Sequence, residues 1–304
     1  MKNGLAYITW SLVGAVALGI VIGTLMSSRS ITAADEIKMK QLPQVIRSVP
    51  IAEKVDLGGE RVPIDRFDVK ERLDRELMVN SYWQSNTIQA IKLSNRFFPV
   101  IEPILAEEGV PDDFKYLAVA ESDLRLKTSY AGAKGYWQFM KASGKQYGLE
   151  INDEVDERYH IERSTRAAAK YIKDLYDRFG SWTAAAAAYN MGPTRLKRIT
   201  SEQSSKNYFD LNLNDETSRY VFRVLAFKYI LQDPESYGFY IQPEEKYKPL
   251  NDYYVVRVDQ SVNDWAKFAS DYRISYRDLK VYNPWLIDRQ LTVINNTYHI
   301  KIPM

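Results

Sequence analysis

The hydrophobic pattern begins with an unbroken apolar run. Leu5 to Met26, LAYITWSLVGAVALGIVIGTLM, carries no charge over 22 residues. That length crosses a ~30 Å hydrocarbon core as a helix. The apolar region of a secretory signal peptide is shorter, about 7–15 residues. The pattern therefore predicts an N-terminal membrane anchor within 1–34. A signal peptide cleaved after Thr32-Ala33-Ala34 is the alternative, and either reading sends the rest of the chain across a membrane. From Ser27 to Arg66 no period is sustained, prolines are scattered and Gly58-Gly59 intervenes, so 35–66 reads as a tether.

Helical periodicity then dominates from Phe67 to about Tyr240. It shows in DVKERLDRELMVNSYW, in NRFFPVIEPILAEEG, in TRAAAKYIKDLYDRFG and in SWTAAAAAYN. Gly109 and Gly180 follow periodic stretches and read as helix stops. The run Ala184 to Ala188 permits close helix–helix approach. After Pro249 the texture changes: YYVVRV and YHIKIP are short β-rich runs that bracket helix-like segments near Asn263–Tyr272 and Ser275–Tyr282. The fold class is thus mainly α, with a domain over 67–243 followed by a small β-α-α-β domain over 250–304.

One position breaks the helical pattern. In a helix entered at Asp112 after Pro111, the apolar face holds Phe114, Leu117 and Ala118, and its next member is Glu121. A carboxylate on a buried face is costly unless it is paired, protonated or used. Pairing with Arg125, at i+4, is the bland reading. Burial would raise the Glu121 pKa from about 4.3, which is what a proton donor working near neutral pH needs.

Composition narrows the chemistry. The formal net charge is +2, so no bulk field recruits nucleic acid. Without cysteine there is no disulfide and no thiolate, and with only two histidines, His160 and His299, a Ser-His-Asp triad or multi-His metal site has little material. No metal or other cofactor is expected. Carboxylates and the 22 tyrosines are the available reagents. Three further stretches could line a cleft: the small-residue turn Ala131–Gly135 leading into Tyr136-Trp137-Gln138-Phe139-Met140, the helix end Tyr189-Asn190 before Gly192-Pro193, and Thr217-Ser218-Arg219-Tyr220. Each also reads as ordinary loop, helix end or core.

In order, AVAES, AGAKGYWQFM, AYNMGP and ETSRYV resemble the transglycosylase SLT domain, and more closely the membrane-bound lytic murein transglycosylases of the D type. The resemblance covers about Phe67 to Tyr240 and implies a lysozyme-like (goose-type) catalytic domain. It implies that Glu121 is the sole catalytic acid and base, and that Ser129 hydrogen-bonds near it. Gln138 and Met140 would line the sugar subsites, with Tyr189, Asn190 and Tyr220 as further substrate-binding residues. Tyr136, Met191 and Tyr130 stand where the family usually has Leu, Ala and Pro, and the Glu121–Ser129 spacing is one residue short. The segment after Pro249 resembles a single LysM domain, a binder of N-acetylglucosamine-containing glycans, with Asp259-Gln260-Ser261 and Asn295-Asn296 replacing its usual turns.

The function so implied is lysis of peptidoglycan at the bond between N-acetylmuramic acid and N-acetylglucosamine. Glycosidases ordinarily need two carboxylates, and only Glu121 is placed by motif. One suffices where the substrate's own C6 hydroxyl attacks C1 and leaves a 1,6-anhydro end. The alternatives are a hydrolytic muramidase of the same fold, a catalytically silent glycan-binding protein and a membrane-tethered interaction protein. The expected partners are peptidoglycan strands, a membrane through the N-terminal helix and other cell-wall enzymes, with no nucleic acid. The expected location is the periplasmic side of a bacterial cell envelope.

Overall fold

The computed structural model describes residues 47–304. The expected anchor and the first part of the tether lie outside the described residues. Among the described residues no helix is long and apolar enough to cross a membrane.

The chain is mainly helical. Helices α1 (Phe67–Tyr82) and α2 (Gln84–Glu107) are separated by a break at Trp83. They are followed by α3 (Lys115–Ser122), α4 (Lys141–Gln146), α5 (Ile161–Phe179), α6 (Trp182–Met191), α7 (Pro193–Glu202) and α8 (Asp215–Gln232). Helix α8 is the hub: α1, α3 and α6 all pack on it. Its Tyr220, Val221, Phe222, Val224, Leu225, Ala226, Phe227 and Ile230 are all buried. A helix apolar most of the way round belongs inside a bundle. Ala184 to Ala188 of α6 are buried too, and their small side chains let α6 lie close between α5 and α8. Gly180 ends α5 in the left-handed conformation, φ +68°, its N–H donating to the Tyr176 carbonyl at 2.7 Å.

The tether expected over 35–66 needs correction, because residues from Val49 on belong to the same compact unit as the rest of the described chain. Strands β1 (Asp56–Leu57) and β2 (Glu60–Arg61) form an antiparallel hairpin, and Val55, Leu57 and Val62 are buried. Gly58 and Gly59, at φ +60° and +81°, supply the turn. The Glu60 carboxylate caps α6 from outside the helix: it accepts from the backbone N–H of Trp182 at 2.5 Å and Thr183 at 2.9 Å, and from the Ser181 hydroxyl at 2.8 Å. A carboxylate there satisfies orphan donors and complements the helix dipole.

The C-terminal segment has the expected order. Strands β3 (Tyr253–Val258) and β4 (Tyr298–Pro303) pair antiparallel, Tyr253 opposite Pro303 and Val258 opposite Tyr298. Between them lie α9 (Trp265–Asp271) and α10 (Tyr276–Tyr282). Their core contains Trp265, Leu279, Trp285, Ile300 and Ile302, together with a residue from far upstream, Val155, which is fully buried among them. Beside it Glu154 accepts from Gln290 Nε2 at 2.9 Å, the Thr292 N–H at 2.6 Å and the Thr292 hydroxyl at 3.0 Å. The module is therefore keyed onto the loop before α5.

Candidate active site

Phe114, Leu117 and Ala118 are buried as the helical phase predicts, and Glu121 follows on the same face one residue before α3 ends. The stop is abrupt. The Ser122 hydroxyl turns inward to the carbonyls of Ala118 at 3.1 Å and Tyr136 at 2.8 Å. Asp123 and Leu124 then both adopt the left-handed conformation, φ +52° and +57°. For side-chain-bearing residues this costs roughly 1–2 kcal/mol each. Compensation comes from the Asp123 carboxylate, which accepts from Asn86 Nδ2 at 2.7 Å and Arg125 Nη2 at 2.9 Å and is paired with Lys127. Asp123 is thus spent on Asn86, Arg125 and Lys127 rather than on Glu121. Arg125 serves Asp123, Asn86 and Gln89, and the bland Glu121–Arg125 pair does not form.

Glu121 Oε1 instead accepts from the Tyr220 hydroxyl at 2.5 Å. Tyr220 comes from the middle of α8 and is buried. Desolvation pushes the Glu121 carboxyl from 4.5 up to about 7, against the opposing pull of the Tyr220 hydrogen bond and of Arg223; Glu216 adds a small push upward. Arg223 lies one helical turn beyond Tyr220, and its charge is shared with Glu216 at 3.3 Å and buried Glu76 at 3.9 Å. Glu76 also takes Arg219 at 2.7 Å. Near pH 7 the carboxyl therefore exists in both protonation states, as a group serving as acid and then base requires.

The stretch after the small-residue turn forms a second wall. Trp137 is fully buried, its Nε1 donating to Thr165 Oγ1 at 3.0 Å, and its carbonyl accepts from the Tyr189 hydroxyl at 2.7 Å. Burial pushes the Tyr189 phenol well up, with the Glu121 charge adding to the effect, so the two groups sit in one electrostatic neighbourhood. Gln138, at φ +49°, spends its Nε2 donors on the carbonyls of Gly135 at 2.8 Å and Lys127 at 3.1 Å. What its amide offers a ligand is the Oε1 acceptor. Met140 is exposed at the end of this stretch. Asn190 Oδ1 accepts from the Thr217 hydroxyl at 3.0 Å, which joins the end of α6 to α8.

Ser129 is placed differently from the expectation. Its hydroxyl accepts from the Ala133 N–H at 3.0 Å and closes the Ser129–Ala133 turn. Among the described residues no hydrogen bond joins it to Glu121. The turn is supported from beneath by a buried ion pair, Asp156–Arg158 at 2.7 Å. Arg158 Nη1 donates to the carbonyls of Gly132 and Phe139, both at 3.2 Å. Gly135, at φ +81°, rests so closely on this loop that a Cβ would lie 1.9 Å from the Arg158 carbonyl oxygen. Only glycine fits there. The Asp156 N–H in turn donates to the Trp285 carbonyl of the C-terminal module at 2.9 Å.

Helix spacing could have found Arg223, which lies three residues from Tyr220 on its helix. Nothing local marks Asp156 or Arg158, whose partners lie far away in sequence. The structure brings together Glu121, Tyr220, Tyr189 and the Trp137–Gln138 backbone, with Asn190 and Thr217 one step further out. Ser129 opens the Ser129–Ala133 turn, and Met140 ends the stretch that follows it.

Two segments of the chain match known family models. Residues 99–212 match the model described as the transglycosylase SLT domain, and residues 254–304 match the soluble lytic transglycosylase C-terminal LysM-like domain. The chain is 28% identical over 221 residues to membrane-bound lytic murein transglycosylase D of Escherichia coli K12, covering 71% of this chain and 47% of that protein. It is 36% identical over 99 residues to peptidoglycan transglycosylase gp16 of Escherichia phage T7, covering 32% of this chain and 7% of that protein. The chain thus spans about half the length of the first of these relatives. Among solved structures, the 70 kDa soluble lytic transglycosylase of Escherichia coli aligns over 58% of this chain and 33% of that one, at 17% identity and a TM-score of 0.41.

Proposed function

We propose, from the premise that this chain carries an SLT domain and a LysM-like C-terminal module, that it is a peptidoglycan lytic transglycosylase acting through Glu121. The observation that carries the reading is a half-buried carboxyl inside the SLT match, Glu121, raised to about 7 and held by Tyr220. Protonated Glu121 donates to the glycosidic oxygen as the bond to C1 of N-acetylmuramic acid breaks. The substrate's N-acetyl group stabilises the positive charge developing at C1. Glu121, now ionised, takes the proton of the C6 hydroxyl as that oxygen bonds to C1, which closes the 1,6-anhydro ring and restores the acid. Tyr189, Asn190 and the Gln138 carbonyl orient the sugar, and Met140 offers an apolar edge.

A hydrolytic course would need a second carboxylate to activate water. Glu216, the carboxylate whose charge reaches Glu121, is engaged by Arg223 at 3.3 Å, which speaks against that role. Location at the periplasmic side of the envelope, held there by the apolar run Leu5–Met26, belongs to the same proposal. Mass analysis of glycan released from purified sacculi tests the course of the reaction. Anhydro ends, one water lighter than reducing ends, are expected; reducing ends alone would establish hydrolysis.

A further inference from the structure

Away from Glu121, the seam between the helical domain and the C-terminal module opens into a groove of about 650 Å³. Its floor is apolar, with Phe97, Leu124, Tyr136 and Val281, and both Leu126 and Val281 remain close to half exposed. Its rim carries four cations, Arg96, Arg125, Arg277 and Lys280, and no Asp or Glu lines it. Among the described residues only Arg125 of these four has a carboxylate within salt-bridge distance, Asp123 at 2.9 Å. Arg96 Nε donates to the Lys248 carbonyl at 3.0 Å. Lys280 Nζ donates to the carbonyls of Leu286 at 2.5 Å and Asp288 at 2.6 Å, and its burial lowers its pKa. Carbonyls satisfy donors without neutralising the charge, and at Lys280 the charge of Asp288 compensates it only in part, since burial outweighs it. Arg277 is exposed and has no such partner. Like charges gathered over an apolar floor repel one another and attract an anionic ligand that carries apolar groups.

We propose that this seam binds an acidic peptide, namely the carboxylate-bearing peptides carried by the glycan strand. The inference rests on the catalytic reading above for the identity of the strand. Leu124 and Arg125 are the third and fourth residues after Glu121, and Tyr136 immediately precedes Trp137. The groove therefore begins on the segments that build the cleft, and a peptide on a sugar near the scissile bond has a short path into it. Guanidinium groups suit carboxylates because they bind them through two parallel hydrogen bonds. Two of the cations come from the helical domain and two from α10, so neither part makes the site alone. The keying of Val155 and Glu154 into the module holds the two halves in register.

The test uses the full chain in mild detergent, with Glu121→Gln to prevent cleavage. Its affinity is measured for peptide-bearing strands and for the same strands stripped of peptide by an amidase. Arg277→Glu with Lys280→Glu should weaken binding of peptide-bearing strands about tenfold, and the difference should shrink as salt rises. Binding of stripped strands should not change. Arg277→Glu alone, at an exposed position outside any hydrogen bond, should give a smaller loss and guards against misfolding of the double variant. Equal losses on both strand types, or none on either, would overturn the proposal. So would a loss confined to vesicles containing phosphatidylglycerol, which would assign the cations to a lipid surface. Cleavage of stripped strands by a Glu121-intact Arg277→Glu chain at the wild-type rate keeps the catalytic reading separate; absence of cleavage by both that chain and wild type would sink that reading alone.

Discussion

Tyr220 sets how Glu121 titrates. Its hydroxyl donates to the carboxylate, which favours the ionised form and pulls against the desolvation that raises the pKa to about 7. Removing that donor in Tyr220→Phe raises the Glu121 pKa further. The first chemical step needs the protonated acid, so the alkaline limb of the rate–pH profile should move to higher pH. The maximum rate should fall roughly tenfold as the carboxyl loses its anchor. A limb that stays put or moves down would contradict the assignment. The place of Glu121 on a buried face was legible from helix phase, because a carboxylate among Phe114, Leu117 and Ala118 breaks the pattern; the role proposed for it came only with the ordered motifs. The left-handed pair Asp123-Leu124 was not legible, since neither residue type announces a positive φ and the compensating Asn86 is 37 residues upstream.

At the scale of elements, the helices were readable because each buries a face at regular spacing, and β3 and β4 because their β-rich runs are bounded. The hairpin of β1 and β2 has no such signature in the sequence and reads there as tether. Two-residue strands are too short to show a period, and what holds the hairpin is Glu60 reaching the start of α6, more than 120 residues away. That cap positions the helix whose last turn carries Tyr189 and Asn190. Glu60→Ala strips two backbone donors of their acceptor and should cost about 1–2 kcal/mol, read as a lowered midpoint of thermal unfolding. An unchanged midpoint would show that the hairpin is no part of the helix's support. The Asp156–Arg158 pair was likewise invisible: it acts beneath Gly132, Gly135 and Phe139, and sequence spacing says nothing about what lies under a turn.

For the whole molecule, the order of domains was legible and their docking was not. The change of texture at Pro249 suggested a separate module, yet Val155 of the helical domain is buried in that module's core and Asp156 bonds its Trp285 carbonyl. A module whose core is completed by a residue of the helical domain should melt together with that domain. Calorimetry is therefore expected to give one cooperative transition for the two parts, and two separated transitions would refute the coupling through Val155. The same docking fixes the charged seam relative to Glu121, so on the proposed reading cutting and peptide recognition would act on one stretch of strand.

The central claim is that one carboxyl, Glu121, does both the acid and the base work. Its most direct test is digestion of purified peptidoglycan by the wild-type chain beside Glu121→Gln, with released muropeptides identified by mass and both proteins shown folded by circular dichroism. The account predicts anhydro-ended fragments from the wild type and a rate lower by a factor of about a thousand or more from the variant. Release of the same fragments by Glu121→Gln at a comparable rate would contradict it.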